Sequence, residues 1–124
     1  MSKILIVDDE VYIRILLEQI LEEFEDKEVE IFTAENGNKA MELILKEKPE
    51  LVFLDVMLPD INGFEICSKV KGEYELKDIF IVLLTARGRE IDERKGVDAG
   101  ADLYLTKPFD PDLIIRKTQE VLKI

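Results

Sequence analysis

The sequence predicts an α/β protein built on an open, doubly wound parallel sheet of five strands with five helices. Three observations carry that expectation. Short apolar runs alternate five times with segments of helical periodicity, which is the rhythm of repeated β-α units. Parallel strands need crossovers, and crossovers of one hand put helices on both faces of the sheet. A chain of 124 residues is also far short of the about 250 that a closed eight-unit barrel takes, so the sheet stays open.

Ile4 to Val7 is a continuous apolar run, as in a strand covered on both faces. Ile13, Leu16, Leu17, Ile20, Leu21 and Phe24 then recur at helical spacing and form one apolar face of a first helix. Val29, Ile31 and Thr33 alternate with Glu30 and Phe32, which reads as an edge strand. Asn36-Gly37 breaks the chain, and Ala40, Met41, Ile44 and Leu45 mark a second helix. Leu51 to Leu54 is another buried strand, with Asp55 at its end. Past the loop around Pro59-Asp60-Ile61-Asn62-Gly63, a third helix is expected from about Phe64 to Val70. Ile79 to Leu84 is the fourth apolar run and closes on Thr85. Arg89 to Ala99 has few apolar positions, mainly Ile91 and Val97, and predicts a weak helix ended by Gly100. Leu103 to Leu105 is a short fifth strand. Asp110-Pro111 then supplies an N-cap followed by proline at the first helical position, opening a last helix that reaches about Lys123.

Composition narrows the function. With 47% apolar and 36% charged residues the chain is globular, and its length fits one domain over residues 1–124. No apolar run approaches the roughly 20 residues that cross a bilayer, and the N-terminal run leads straight into carboxylates, so neither anchor nor signal peptide is expected. Cys67 is the single cysteine, so no internal disulfide forms and a cytoplasmic location is the expectation. A net charge of −11 opposes binding to a phosphate backbone, so this domain is not expected to contact nucleic acid directly. The absence of histidine excludes Ser-His-Asp and Cys-His mechanisms and a His-based zinc site. Any chemistry falls to carboxylates, Lys, Ser, Thr or Tyr.

In open α/β sheets the site lies beyond the carboxyl ends of the strands. Those ends carry Asp8, Asp9 and Glu10 after strand one, Asp55 after strand three, Thr85 after strand four and Lys107 after strand five. Taken singly, each has an ordinary structural explanation: the acids and Thr85 as helix caps, Lys107 as a solvated charge. Their coincidence at one end of four strands is not what capping produces. Clustered carboxylates repel unless a cation joins them, and hard oxygen ligands suit Mg²⁺. Asp8, Asp9, Asp55 and Lys107 leave two net negative charges, which one divalent ion cancels. A carboxylate can also attack phosphorus to give an aspartyl-phosphate. The ammonium, the hydroxyl and the metal would then meet the oxygens of the transferring group.

The residues LIVDDE, LVFLDVMLPDINGFE, LLTA and DAGADLYLTKPF, in that order and spacing, resemble the receiver domain of bacterial two-component response regulators over essentially the whole chain. The resemblance implies the flavodoxin-like receiver fold with strand order 2-1-3-4-5. It implies that Asp55 accepts a phosphoryl group from a sensor histidine kinase or phosphotransfer protein. Asp9 and Asp55 would bind Mg²⁺ directly with the Met57 backbone carbonyl, and Asp8 mainly through water. Thr85 and Lys107 would contact the phosphoryl group, and the Lys107-Pro108 bond would be cis. Thr85 and Tyr104 would form a switch pair that biases the face made by helix four, strand five and helix five, where a downstream effector or a phosphorylation-dependent homodimer partner would dock. No core motif position of the family is missing. The positions that tune phosphoryl lifetime hold Met57 and Arg87, neither a water-activating acid nor an amide, so slow self-dephosphorylation is expected. Such a domain transfers and loses its own phosphoryl group without being a turnover enzyme.

Three other functions compete. An aspartate-nucleophile phosphatase needs a second acid two residues after the nucleophile, where this chain has Met57. A flavin carrier needs a Gly/Ser/Thr-rich phosphate loop after strand one, where this chain has Asp8-Asp9-Glu10. A docking module of the same fold would not be phosphorylated at all.

Overall fold

The apolar runs form strands β1 (Ser2–Val7), β2 (Val29–Ala34), β3 (Leu51–Asp55), β4 (Phe80–Ala86) and β5 (Leu103–Lys107). Helices α1 (Val11–Leu21), α2 (Gly37–Glu47), α3 (Gly63–Ser68), α4 (Glu90–Ala99) and α5 (Pro111–Leu122) alternate with them. The computed structural model describes residues 2–86 and 90–124, with side chains from residue 94 onward in the second stretch. All strand pairs are parallel, in the order β2-β1-β3-β4-β5. This is the expected doubly wound sheet. The chain goes outward from β1 to β2 and then returns across β1 to β3. That reversal opens a crevice at the carboxyl ends of β1 and β3.

The period-two alternation of the strands divides the core into two layers. Leu5, Val7, Val52, Leu54, Ile81 and Leu83 face α2, α3 and α4, against Ala40, Ile44, Ile66, Val70 and Ala99. Ile4, Ile6, Leu51, Phe53, Val82 and Leu84 face α1 and α5, against Leu17, Leu21, Phe24 and Ile114. Each such side chain contributes about 1.5–3 kcal/mol by leaving water. The three central strands are therefore apolar on both sides, which is why their runs are unbroken.

Packing redraws several boundaries. The α-helical part of α1 ends at Leu21, and Glu22–Lys27 continues as a 3₁₀ helix that still buries Phe24. Leu16 and Leu45 remain over one-third exposed, so the apolar stripes are narrower than periodicity alone suggests. α3 stops at Ser68, and Lys69–Glu73 forms a π turn with Val70 inside. β5 extends to Lys107 because its backbone pairs with β4 as far as Ala86, although its outer residues are not apolar. α4 turns Gly96 and Ala99 inward and leaves Val97 exposed. It ends on Gly100, whose φ of 91° belongs to the left-handed region that glycine enters without strain. Asp110 caps α5 by accepting from the Asp112 N–H, with Pro111 at the first position.

Candidate functional site

Alternation sets which strand-end residues meet. Asp8 follows Ile4 and Ile6, Asp55 follows Leu51 and Phe53, and Lys107 follows Leu103 and Leu105, all on the α1/α5 side of the sheet. Parallel register sets Asp8 beside Asp55, with Lys107 two residues beyond that level, and its long side chain reaches back so that groups 47 and 52 residues apart along the chain converge. The Lys107 Nζ lies 2.8 Å from Asp8 Oδ2 and 3.3 Å from Asp55 Oδ1. Asp8, Asp9 and Asp55 each offer a carboxylate oxygen within 4.8 Å of the others. Asp8 and Asp55 are buried, whereas Asp9 opens to solvent.

These acids do not serve as ordinary caps. The N-cap of α1 is Glu10, without a side-chain cap bond, and that of α3 is Asn62, which accepts from the Glu65 N–H. Asp8 Oδ1 does accept from the Glu10 N–H at 2.9 Å, but its other oxygen faces Lys107. Burial and the neighbouring Asp8 charge push the Asp55 carboxyl up to about 6, against the opposing pull of Lys107 and the Met57 N–H. Burial alone would lower the Lys107 ammonium, but its hydrogen bond to Asp8 and the charges of Asp55 and Asp8 leave it above its ordinary value. The cluster thus holds a buried carboxylate, a cation beside it and an all-oxygen donor set. Hard divalent cations prefer such donors, so the residues present fit Mg²⁺.

The other expected residues surround this cluster. Thr85 is buried at the end of β4, on the opposite face from Asp55 by alternation after Leu83. Met57 sits on the loop beyond β3, 73% exposed. Tyr104 packs half-buried on the α2–α4 side, so close to α4 that a Cβ at Gly96 would lie 3.1 Å from its ring. Tyr104 is level with Leu83 and Thr85 with Thr106, so the two lie on one face, successive positions apart. The Lys107-Pro108 peptide bond is cis. Arg87 lies outside the described residues.

The model of the response regulator receiver domain family matches residues 4–119. The chain belongs to this family. Among solved structures, this receiver domain is similar to the BeF3-activated receiver domain of DrrB, with 33% identity, coverage of 100% and 99% of the two chains and a TM-score of 0.86. The longer DrrB from Thermotoga maritima, described as an OmpR/PhoB homologue, matches at 32% identity with a TM-score of 0.85. There the alignment covers 99% of this chain and 53% of that one. The chemotaxis protein CheY4 of Vibrio cholerae matches at 30% identity and a TM-score of 0.83, covering 98% of both chains. Receiver domains are signalling domains of two-component systems.

Two features of this receiver escape sequence reasoning. Arg14 on α1 donates to the Asp8 carbonyl at 2.7 Å and so steadies the turn that presents both β1 acids. Asp60, in the loop after β3, accepts from the Gly37 N–H at 2.7 Å, the Asn38 N–H at 2.8 Å and the Ile61 N–H at 2.8 Å. Desolvation by the neighbouring backbone pulls the exposed Asp60 carboxyl upward, but these donors outweigh it and hold the group below its ordinary range. Nothing in the spacing pairs Asp60 with residues 22 and 23 positions earlier.

Proposed function

We propose that this receiver is a phosphorylation-dependent switch in which Asp55 takes a phosphoryl group from a phosphohistidine on a partner kinase or phosphotransfer protein. The supporting observation is the buried Asp55 carboxylate within reach of both the Lys107 ammonium and the Asp8–Asp9 oxygens. These 124 residues hold no histidine, so the donor imidazole comes from outside this domain. An Asp55 oxygen attacks phosphorus while the P–N bond to the donor breaks. The imidazole keeps the electron pair and takes a proton from water. Lys107 neutralises charge on the transferring oxygens, and the Thr85 hydroxyl donates to one of them. Asp9, Asp55 and the Met57 carbonyl would hold Mg²⁺, with Asp8 acting through water, and the ion would supply further positive charge against those oxygens.

Movement of Thr85 toward the phosphoryl group frees space behind it for Tyr104, which rests on Gly96. That couples the site to the α4–β5–α5 face, where a downstream effector domain or protein docks and where phosphorylated copies would pair. α4 suits this task because, among its described side chains from residue 94 onward, Val97 faces solvent and those turned inward are the small Gly96 and Ala99, which offer little apolar surface against a shift. Met57 and Arg87 offer no group to activate water, and the phosphoryl group persists. A cytoplasmic setting suits a partner that carries the phosphohistidine.

Incubation with acetyl phosphate and Mg²⁺ tests this. Intact-mass measurement is expected to show a gain of one phosphoryl group that Asp55→Asn abolishes, with loss of the group slow on the scale of seconds. No gain, or a gain indifferent to Asp55→Asn, would leave the docking module as the better reading. Turnover of generic phosphomonoesters would favour the phosphatase.

A further inference from the structure

The loop from Val56 to Asn62 is secured by three kinds of contact. Its ends are closed by the Gly63 N–H donating to the Val56 carbonyl at 2.9 Å. Leu58 and Ile61 pack into the α2–α4 side of the core. Between them, the single Asp60 carboxylate gathers two N–H groups at the start of α2 together with its own neighbour's N–H. A Cβ on Gly37 would meet Ile61 and lie 3.0 Å from Asp60 Oδ1, so loop and helix are in direct contact. Met57 and Pro59 are left exposed. The backbone of Met57 already reaches back to the acceptor, because its N–H donates to Asp55.

α2 does not need Asp60 as a conventional cap. Asn36 fills that role by accepting from the Lys39 N–H at 2.8 Å. Asp60 instead ties the acceptor loop to a helix from a different part of the chain. We propose that Asp60 is a positioning residue for the phosphorylation site: by anchoring the loop on the α2 N-terminus it sets where the Met57 backbone stands over Asp55. The proposal rests on Asp55 and Met57 serving as assigned under the proposed function. Without the anchor, the Met57 carbonyl loses its fixed place and contributes less to holding Mg²⁺.

The experiment compares Asp60→Ala, Asp60→Asn and Asn36→Ala with the unaltered protein. Mg²⁺ affinity is read by titration calorimetry, the phosphorylation rate with acetyl phosphate by mass, and folding by thermal unfolding. Asp60→Ala is expected to weaken Mg²⁺ binding by about tenfold, as removal of a group behind a metal ligand typically does. Its phosphorylation rate should fall at subsaturating Mg²⁺ and recover at saturating Mg²⁺. Asp60→Asn keeps one acceptor oxygen and should fall between. Asn36→Ala removes the ordinary cap of the same helix, so it should lower the unfolding temperature while Mg²⁺ affinity stays within about twofold. Asp60→Ala binding Mg²⁺ within about twofold of the unaltered protein, or Asn36→Ala weakening it equally, would overturn the positioning role alone. An unaltered protein that takes neither Mg²⁺ nor a phosphoryl group at Asp55 would overturn the function and this role together.

Discussion

Asp55 is held in an unfavourable state by the fold that makes it useful. Its carboxyl is raised to about 6 by burial and by the Asp8 charge, so ionising it costs the folded protein more than the unfolded chain. The stabilising contribution is therefore complete below the unfolded value near 4 and is lost as pH rises through about 6. In Mg²⁺-free urea unfolding, Asp55→Asn should consequently be more stable than the unaltered protein at pH 8. The gap, on the order of 1–2 kcal/mol after allowance for solvent at the rim, should shrink as pH falls through about 6 and close below about pH 4. A gap that widens toward low pH would contradict the assignment. Cys67 behaves oppositely in consequence: burial pushes its thiol up to about 11, so it packs as a small apolar side chain and is poorly reactive.

Among the elements, the turn from β3 into α3 is the least tolerant of change. A Cβ at Gly63 would lie 2.5 Å from the Asp55 carbonyl oxygen and 3.0 Å from Val56 Cα, and neither backbone atom can yield without moving Asp55. Gly63→Ala should cost about 2–3 kcal/mol and lower phosphorylation of Asp55. Gly72 in the π turn has nothing within 4 Å of an added Cβ, so Gly72→Ala should be neutral or stabilising by up to about 1 kcal/mol. Equal urea midpoints for the two variants would refute the argument. The entry to β5 is also fixed, with the Asp102 N–H on the Ile81 carbonyl and Asp102 Oδ2 bound by Lys71 at 2.7 Å and the Ile81 N–H at 2.8 Å.

Over the whole molecule, a net charge of −11 makes the folded state repel itself. Surface pairs such as Lys69–Glu73 and Lys117–Glu120 offset little of this. Raising KCl from about 0.01 to 0.3 M without Mg²⁺ should therefore raise the thermal midpoint, because the screening length shrinks to about 10 Å or less. A falling midpoint would show that attractive pairs dominate. The five β-α units, the apolar strands and the identities of Asp8, Asp9, Asp55, Thr85 and Lys107 at the strand ends were legible from periodicity and residue type, since both are local properties. The end of α1, the π turn after α3 and the full length of β5 were not, because partners outside each segment decide where its hydrogen bonding stops. Arg14 and Asp60 were invisible for the same reason. The sequence by itself determined the chemistry available at the rim and the absence of an internal histidine donor. The tertiary structure alone decided that Lys107 bridges Asp8 and Asp55, that Thr85 stands on the other face, and that Asp60 reaches α2, because register and crossover packing join segments that share no local signal.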